Sequence, residues 1–313
     1  MLRNWIGIIR PVNVLLLAGT LYAIDALLLQ PNFSRYGIVF SMDEFHFFLL
    51  VLAVALICAA GYILNDYYDV ESDVVNKPAK VYIGEGKIAP ERAMQVYLAM
   101  NIAGLALGVY LSLYVGYWKF IVLFVFCIAL LYFYSTSFKR IPLAGNVMVA
   151  LLTGISVMMV YVFEPHLYQL ARPADYYIAG ICTRFIIALA LFAYAFTMVR
   201  EIVKDLEDVE GDKRSNARTM PIVWGTGISK GIAILHALFT ICALLYLYIN
   251  VLDRSLILYS LYIGLMIALL LAVSVWLFVA RTKRQFTRLS IFMKISMVLG
   301  LAVLPVYYYY FTV

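Results

Sequence analysis

Charge is scarce in this chain. Of 313 residues, 13% are Asp, Glu, Lys or Arg and 65% are hydrophobic, with a mean hydropathy of +0.92. Soluble domains are about a quarter charged and half apolar, so composition argues against a water-soluble protein. Histidine is scarcer still. His46, His166 and His236 are isolated from one another, which argues against a histidine-based metal site. The four cysteines, Cys58, Cys127, Cys182 and Cys242, all fall in apolar runs far apart. They read as small packing residues and not as a disulfide set or a zinc site. No Ser-, Pro- or charge-rich linker interrupts the chain, so one domain over residues 1–313 is expected. The start, Met1 to Pro11, has no small-residue cleavage site, so no cleavable signal peptide is expected. Gly84-Glu85-Gly86-Lys87 lacks the Walker spacing and a following Ser or Thr, so it is not read as a phosphate loop.

What the chain does have is long apolar runs. A membrane span needs about 20 such residues, and nine runs qualify: 11–29, 45–65, 91–115, 118–135, 145–163, 178–200, 229–250, 256–280 and 289–311. The runs are continuous, not alternating, which favours helices over a barrel. The expected fold is therefore all-α, a polytopic membrane protein with nine transmembrane helices in one bundle. Gly104 and Gly108, four apart, allow close helix packing. Tyr307 to Tyr310, at the end of the last run, read as interfacial anchors.

The few charges are distributed unevenly. With nine spans, all but five of the 24 basic residues fall on the side holding the N-terminus and the loops after spans 2, 4, 6 and 8. The five exceptions are Arg35, Lys119, Arg172, Arg184 and Arg254. The positive-inside rule then places the N-terminus in the cytoplasm. The net charge of +6 reads as topology, and no nucleic-acid partner is expected.

The acids are the most informative residues. Asp66, Asp69 and Asp73 share a register with Asp205, Asp208 and Asp212, each 139 positions after its counterpart. The windows 66–73 and 205–212 hold nine of the 18 acids. They open the two longest cytoplasmic segments, expected at about 66–90 and 201–228. On a helix, positions i, i+3 and i+7 share one face. Three like charges there repel, and a divalent cation relieves the conflict. Oxygen ligands without His or Cys favour Mg²⁺ or Mn²⁺. Mg²⁺ prefers a few carboxylates together with substrate phosphates. Basic residues follow: Lys77 and Lys80 after the first cluster; Lys213, Arg214 and Arg218 after the second; Lys139 and Arg140 between spans 4 and 5. Metal and cationic side chains together stabilise a departing diphosphate. The expected arrangement is two carboxylate clusters clasping a metal-bound diphosphate across a central cavity.

Asn65-Asp66-xx-Asp69-xxx-Asp73 resembles the first signature of the UbiA superfamily of intramembrane prenyltransferases. Asp208-xxx-Asp212, extended here by Asp205, is similar to the second. Arg10-Pro11-Val12-Asn13 and Lys139-Arg140 before Gly145-Asn146 extend the resemblance along the chain. Tyr134 and Lys139 are one residue further apart than the Tyr-xxx-Lys of many members. The stretch from Arg200 to Lys213 looks most like the branch with digeranylgeranylglyceryl phosphate synthases and chlorophyll synthases. The resemblance implies Mg²⁺-dependent prenyl transfer from an isoprenyl diphosphate. It also implies a bundle around a cavity, capped on the cytoplasmic side and open sideways to lipid.

On that basis Asp66, Asp69 and Asp73 would bind one Mg²⁺, and Asp208 and Asp212, with Asp205, a second. Asn65 would orient a carboxylate, and Asn13 would contact substrate. Lys77, Lys139, Lys204 and Arg214 are candidates for neutralising the leaving group. Tyr62, Tyr67 and Tyr68 are candidates for facing a prenyl cation, with ordinary packing as the alternative. The expected donor is a prenyl diphosphate, with geranylgeranyl as the group. The first-choice acceptor is geranylgeranylglyceryl phosphate; an aromatic quinone precursor or a tetrapyrrole acid is the second. The expected place is an inner or plasma membrane, with the site facing the cytoplasm. A secondary transporter is the alternative of another class, although transporters usually place such acids near the midplane.

Overall fold

The computed structural model describes residues 2–169, 175–250 and 256–311, so Arg172 and Arg254 lie outside the described residues. Among the described residues, nine helices are long and apolar enough to cross a membrane. They are Pro11–Tyr36, Glu44–Tyr68, Pro90–Tyr114, Trp118–Thr136, Ala144–Val162, Tyr176–Arg214, Gly225–Ile249, Ile257–Val279 and Lys283–Phe311, numbered below as the first to ninth spans. Their outer faces carry side chains such as Leu15, Ile102, Val122, Leu191, Leu235 and Phe278, each more than 60% exposed. Exposed apolar area on this scale is unfavourable in water and suits a lipid surround.

Three boundaries differ from the sequence reading, each for a local reason. The first span continues past residue 29 through a π-helical turn, Asp25–Leu29, where Gln30 donates to Asp25 Oδ2 at 2.7 Å. It stops at Gly37, which takes a left-handed conformation (φ 63°) that glycine adopts without a Cβ clash. The sixth helix runs over Asp175–Arg214, so residues 201–214, expected as loop, are helical. Its polar turns are supported by Lys204 donating to Glu201 Oε1 at 2.6 Å, an i,i+3 pair. The ninth span starts early, at a capping box formed by Thr282 and Gln285.

The two aspartate clusters do not share one local structure. The second lies on the unbroken sixth helix. In the first, the second span ends at Tyr68, Asp69 leaves the helical region (φ −98°, ψ 1°), and a separate short helix, Val70–Asn76, follows. That short helix packs on the sixth span and brings the clusters together.

Gly104 and Gly108 pack as expected. A Cβ at Gly104 would sit 2.8 Å from Ile57 Cγ1, and one at Gly108 would sit 2.6 Å from the Phe124 ring. The third span thereby seats against the second and fourth. The tyrosine run splits in its roles. Tyr307 is buried and donates to Asn32 Oδ1 at 3.0 Å, and the Tyr310 hydroxyl accepts from Leu258 N at 3.1 Å. These two lock helix ends together and are not simple anchors, while Tyr309 is 60% exposed. Residues 83–88 form a tight turn closed by an Ile83–Ile88 bridge, with Gly84 and Gly86 at φ 134° and 70°. A small apolar cluster that includes Ile8, Ile63, Ile83 and Ile88 pins this turn to the N-terminal helix Leu2–Ile8 and the second span.

At the bundle end away from the aspartates, Glu164 joins two loops. It is 3% exposed and accepts from Ser41 N at 3.1 Å and Ser41 Oγ at 2.5 Å. Burial pushes its carboxyl up, against the Ser41 hydrogen bonds that hold it down. Glu164→Ala leaves the Ser41 N–H without this partner, which costs about 1–3 kcal/mol. A melting temperature lowered by a few degrees, roughly in line with that loss, is expected in detergent. An unchanged melting temperature would show that the latch contributes nothing.

Candidate active site

A cavity of about 630 Å³ opens between the first, second, fourth, fifth, sixth and ninth spans. Its deep wall is apolar, with Leu17, Ile57, Phe124, Val157, Leu189 and Phe192. All six motif aspartates line its polar end. Asn13, Asn65, Lys77, Lys139, Lys204 and Tyr62 line it too. A long apolar chamber with a charged mouth can hold a lipid chain and its anionic head group at once.

The aspartates are not left to repel one another. Arg10 Nη2 donates to Asp66 Oδ1 at 2.5 Å, and its guanidinium lies 4.7 Å from the Tyr62 ring centroid. Lys139 donates to Asp69, while Asn65 Nδ2 donates to Asp69 Oδ2 at 2.7 Å. Lys77 Nζ donates to Asp208 Oδ2 at 2.5 Å. Asn146 Nδ2 donates to Asp205 Oδ2 at 2.8 Å, and Thr219 Oγ1 to Asp212 Oδ2 at 3.3 Å. Among the described residues, no three acidic, cysteine or histidine side chains form a preassembled metal cluster. In the empty site the chain's own cations pair with half of the six aspartates, Asp66, Asp69 and Asp208.

Local structure explains the placement. Lys139 sits on a one-turn 3₁₀ helix, Phe138–Arg140, pressed against the start of the fifth span. A Cβ at Gly145 would meet Lys139 Cα at 2.9 Å, so only glycine lets that turn close. Leu143 turns the chain with a left-handed φ of 68°. Asn76 joins the clusters: its side chain donates to Asp208 O at 2.8 Å and accepts from Gly211 N at 3.0 Å.

Charge and burial set the proton affinities outside the spans. Burial raises Asp73 to about 6, aided by Asp69 and opposed by Lys77 and Lys139. For Lys77 burial lowers proton affinity, but Asp208 and Asp73 outweigh it and leave it raised. Lys139 is likewise raised, burial being overcome by Asp69. Both lysines are therefore cations when the site is empty.

Three expected site residues do not line the cavity. Arg214 is exposed, because it lies two residues beyond Asp212, about 200° round the helix. Tyr67 and Tyr68 follow Asp66 by about 100° and 200°. Tyr67 packs in the small apolar cluster and Tyr68 faces outward. Tyr62, one turn before Asp66, does face the cavity, and so does Tyr134. Other lining residues had not been named as site candidates: Arg10 was quoted within the family motif, Lys80 among the basic residues after the first cluster, and Arg200 and Lys294 as topological charges. Lys294 carried a usable signal, since an ionisable group inside an apolar run is a functional candidate by default.

A helical membrane bundle with two aspartate motifs at the mouth of an apolar cavity is the architecture of an intramembrane enzyme acting on lipids. The model of the UbiA prenyltransferase family matches residues 9–310. The chain belongs to that family: it is a prenyltransferase and an integral membrane protein. It is 32% identical to the digeranylgeranylglyceryl phosphate synthase of Methanobrevibacter smithii over 249 residues, 79% of each chain. The synthase of the same name from Methanosphaera stadtmanae is 30% identical over 313 residues, covering 96% of this chain and 97% of that one. A structure solved in work on digeranylgeranylglyceryl phosphate synthase superposes with a TM-score of 0.65 at 24% identity, covering 97% and 96%. A UbiA homologue from Archaeoglobus fulgidus, solved with GPP and Mg²⁺, superposes with a TM-score of 0.58 at 18% identity, covering 96% and 99%. These two likenesses concern the fold.

Proposed function

We propose that the protein transfers a geranylgeranyl group from its diphosphate to geranylgeranylglyceryl phosphate, releasing diphosphate, with Mg²⁺ at the aspartates. The observation that carries this reading is the joining of both aspartate motifs, through Lys77–Asp208 and the Asn76 brace, at the mouth of an apolar chamber. The name borne by the relatives supports the acceptor, and the ligands of the A. fulgidus homologue support the metal and the donor. The family match over 9–310 supports one catalytic domain. The basic bias of the loops supports a site facing the cytoplasm.

The donor set fits Mg²⁺. It offers oxygen alone, and buried Asp208 Oδ1 has no hydrogen-bond partner among the described residues. Asp66, Asp69 and Asp73 would hold one ion, and Asp208 and Asp212, with Asp205, a second. A bound ion supplies Lewis-acid stabilisation of the diphosphate leaving group. Lys139 and Lys77 turn from Asp69 and Asp208 to donate to diphosphate oxygens. Asn65 keeps Asp69 oriented, and Arg10 holds Asp66. The allylic C–O bond breaks, and both its electrons leave with the diphosphate. Tyr62 and Tyr134, which line the cavity, are placed to stabilise the prenyl cation. The apolar wall keeps competing water away. The acceptor hydroxyl oxygen bonds carbon 1, and its proton passes to the departing diphosphate.

Mass spectrometry of products from a panel of acceptors with geranylgeranyl diphosphate tests the assignment. Product from hydroxybenzoate-type or tetrapyrrole acceptors alone would reject it. A pH effect is also expected. Asp73, raised to about 6, is ionised at neutral pH and takes up a proton below that value. Protons then compete with metal, so the Mg²⁺ needed for half-maximal rate should climb by up to about tenfold per pH unit below 6 and level off above it. Mg²⁺ titrations of activity from about pH 5 to 8 check this; a requirement that does not change with pH would exclude Asp73 as a ligand.

A further inference from the structure

The cavity has a second charged pole that the diphosphate chemistry does not use. Arg200, Lys204 and Lys294 line it, with Lys80 at the mouth. Lys294 lies within electrostatic reach of Arg200, Lys80 and Arg10. One carboxylate serves this group: Glu201 accepts from Arg200 Nη1 at 2.9 Å and from Lys204 Nζ at 2.6 Å. Arg10 is committed to Asp66, and Asp205, one helical turn beyond Glu201, to Asn146. Lys294 donates to a neutral group, Asn13 Oδ1, at 2.6 Å. Arg200 Nε is buried with no hydrogen-bond partner among the described residues.

Three part-buried cations, Arg200, Lys204 and Lys294, set against one carboxylate in the cavity, with exposed Lys80 at its mouth, are costly unless an anion joins them. Mg²⁺ at the aspartates would leave these cations uncompensated. We propose that Arg200, Lys204 and Lys294, with Lys80, form an anion site for the phosphate monoester of the acceptor, distinct from the diphosphate site. The inference rests on the function proposed above and gives it a selectivity. A guanidinium with a free Nε–H and two ammonium groups suit a dianion with three exposed oxygens. An acceptor with no anionic group would leave the cations unpaired. Asn13, which donates to the Tyr62 hydroxyl at 3.2 Å while accepting from Lys294, ties this site to the wall beside Arg10.

The test uses the full-length protein, geranylgeranyl diphosphate, and two acceptors that differ in one group: geranylgeranylglyceryl phosphate and its dephosphorylated alcohol. Wild type is expected to prefer the phosphate form by about 100-fold in kcat/KM, because cations set in the cavity reject a ligand that cannot pair them. In Arg200→Gln and Lys294→Gln the KM for the phosphate acceptor should rise about tenfold or more, and the preference should fall towards unity. A preference that survives both substitutions overturns the proposal, as does a rise confined to the KM for prenyl diphosphate. Glycerol phosphate, added to wild type, is expected to compete with the acceptor; competition with the prenyl diphosphate instead overturns the proposal even where a variant fails to fold. Wild type that uses both glycerol lipids equally well keeps the proposed function and loses the phosphate site. Wild type that prenylates an aromatic acceptor and neither glycerol lipid loses both.

Discussion

Replacing Asp69 and Asp208 together with alanine is expected to lower prenyl transfer by at least about 10³-fold, because removing a single group that stabilises charge in the transition state already costs about 10² to 10³. Under the proposed function each aspartate has two tasks: it would offer oxygen to a metal, and in the empty protein it holds a lysine, Lys139 in one case and Lys77 in the other. The double variant removes a ligand from each motif and leaves both lysines without their partners. Breaking a buried pair costs about 3–5 kcal/mol, and less here, since both lysines are about a third exposed. A melting curve therefore accompanies the assay, with Asp69→Asn and Asp208→Asn as shape-conserving controls. EDTA should abolish wild-type transfer and Mg²⁺ restore it. Transfer that persists in a folded double variant would sink the assignment of the aspartates.

The second large effect is expected at Gly211, which touches no substrate. A Cβ there would lie 2.2 Å from Asn76 Nδ2 and 2.6 Å from Ser72 O. Backbone cannot yield at that distance, so the short helix Val70–Asn76 must move off the sixth span. Asp73 and Lys77, at its end, move with it. A displacement of about 1 Å in a positioning element can cost roughly 10² in rate. Gly211→Ala is expected to lose about that much in kcat/KM and to need more Mg²⁺. Asn76→Ala, which removes the brace without a clash, should lose less. Wild-type kinetics in Gly211→Ala would mean that the two motifs are not coupled through this contact.

The nine spans were legible because each apolar run is long enough to cross a bilayer and the loops between them hold the charge. The aspartates were legible through their repeated register. What stayed hidden was the phase of the helices around them. Arg214 was chosen for its closeness in sequence to Asp212, yet two residues of helix turn it to the outside. Tyr67 and Tyr68 turn away from the cavity for the same reason, and Tyr62 lines it because it stands one turn from Asp66. The break at Asp69 was invisible to a reading that assumed a continuous helix. Arg200 was hidden differently: in sequence, a cation at a span end that sets topology looks the same as one that lines a cavity. Distance along the chain told against Arg10, which meets Asp66 across 56 residues. Gly145 and Asn146 were quoted as part of a motif, and packing gives them their reasons, one seating Lys139 and the other holding Asp205.

The ion pairs Arg10–Asp66, Lys139–Asp69 and Lys77–Asp208 make the empty site its own competitor. If the lysines bind diphosphate as proposed, a diphosphate that enters must take them from the carboxylates that hold them, which weakens its binding by the strength of those pairs. The same exchange runs in reverse after the reaction. Free diphosphate, shorn of its lipid tail, has lost the apolar part of its hold, and the carboxylates stand ready to reclaim both lysines. The resting state thus favours turnover over retention: it gives up some affinity for the whole substrate and eases the exit of the fragment left behind.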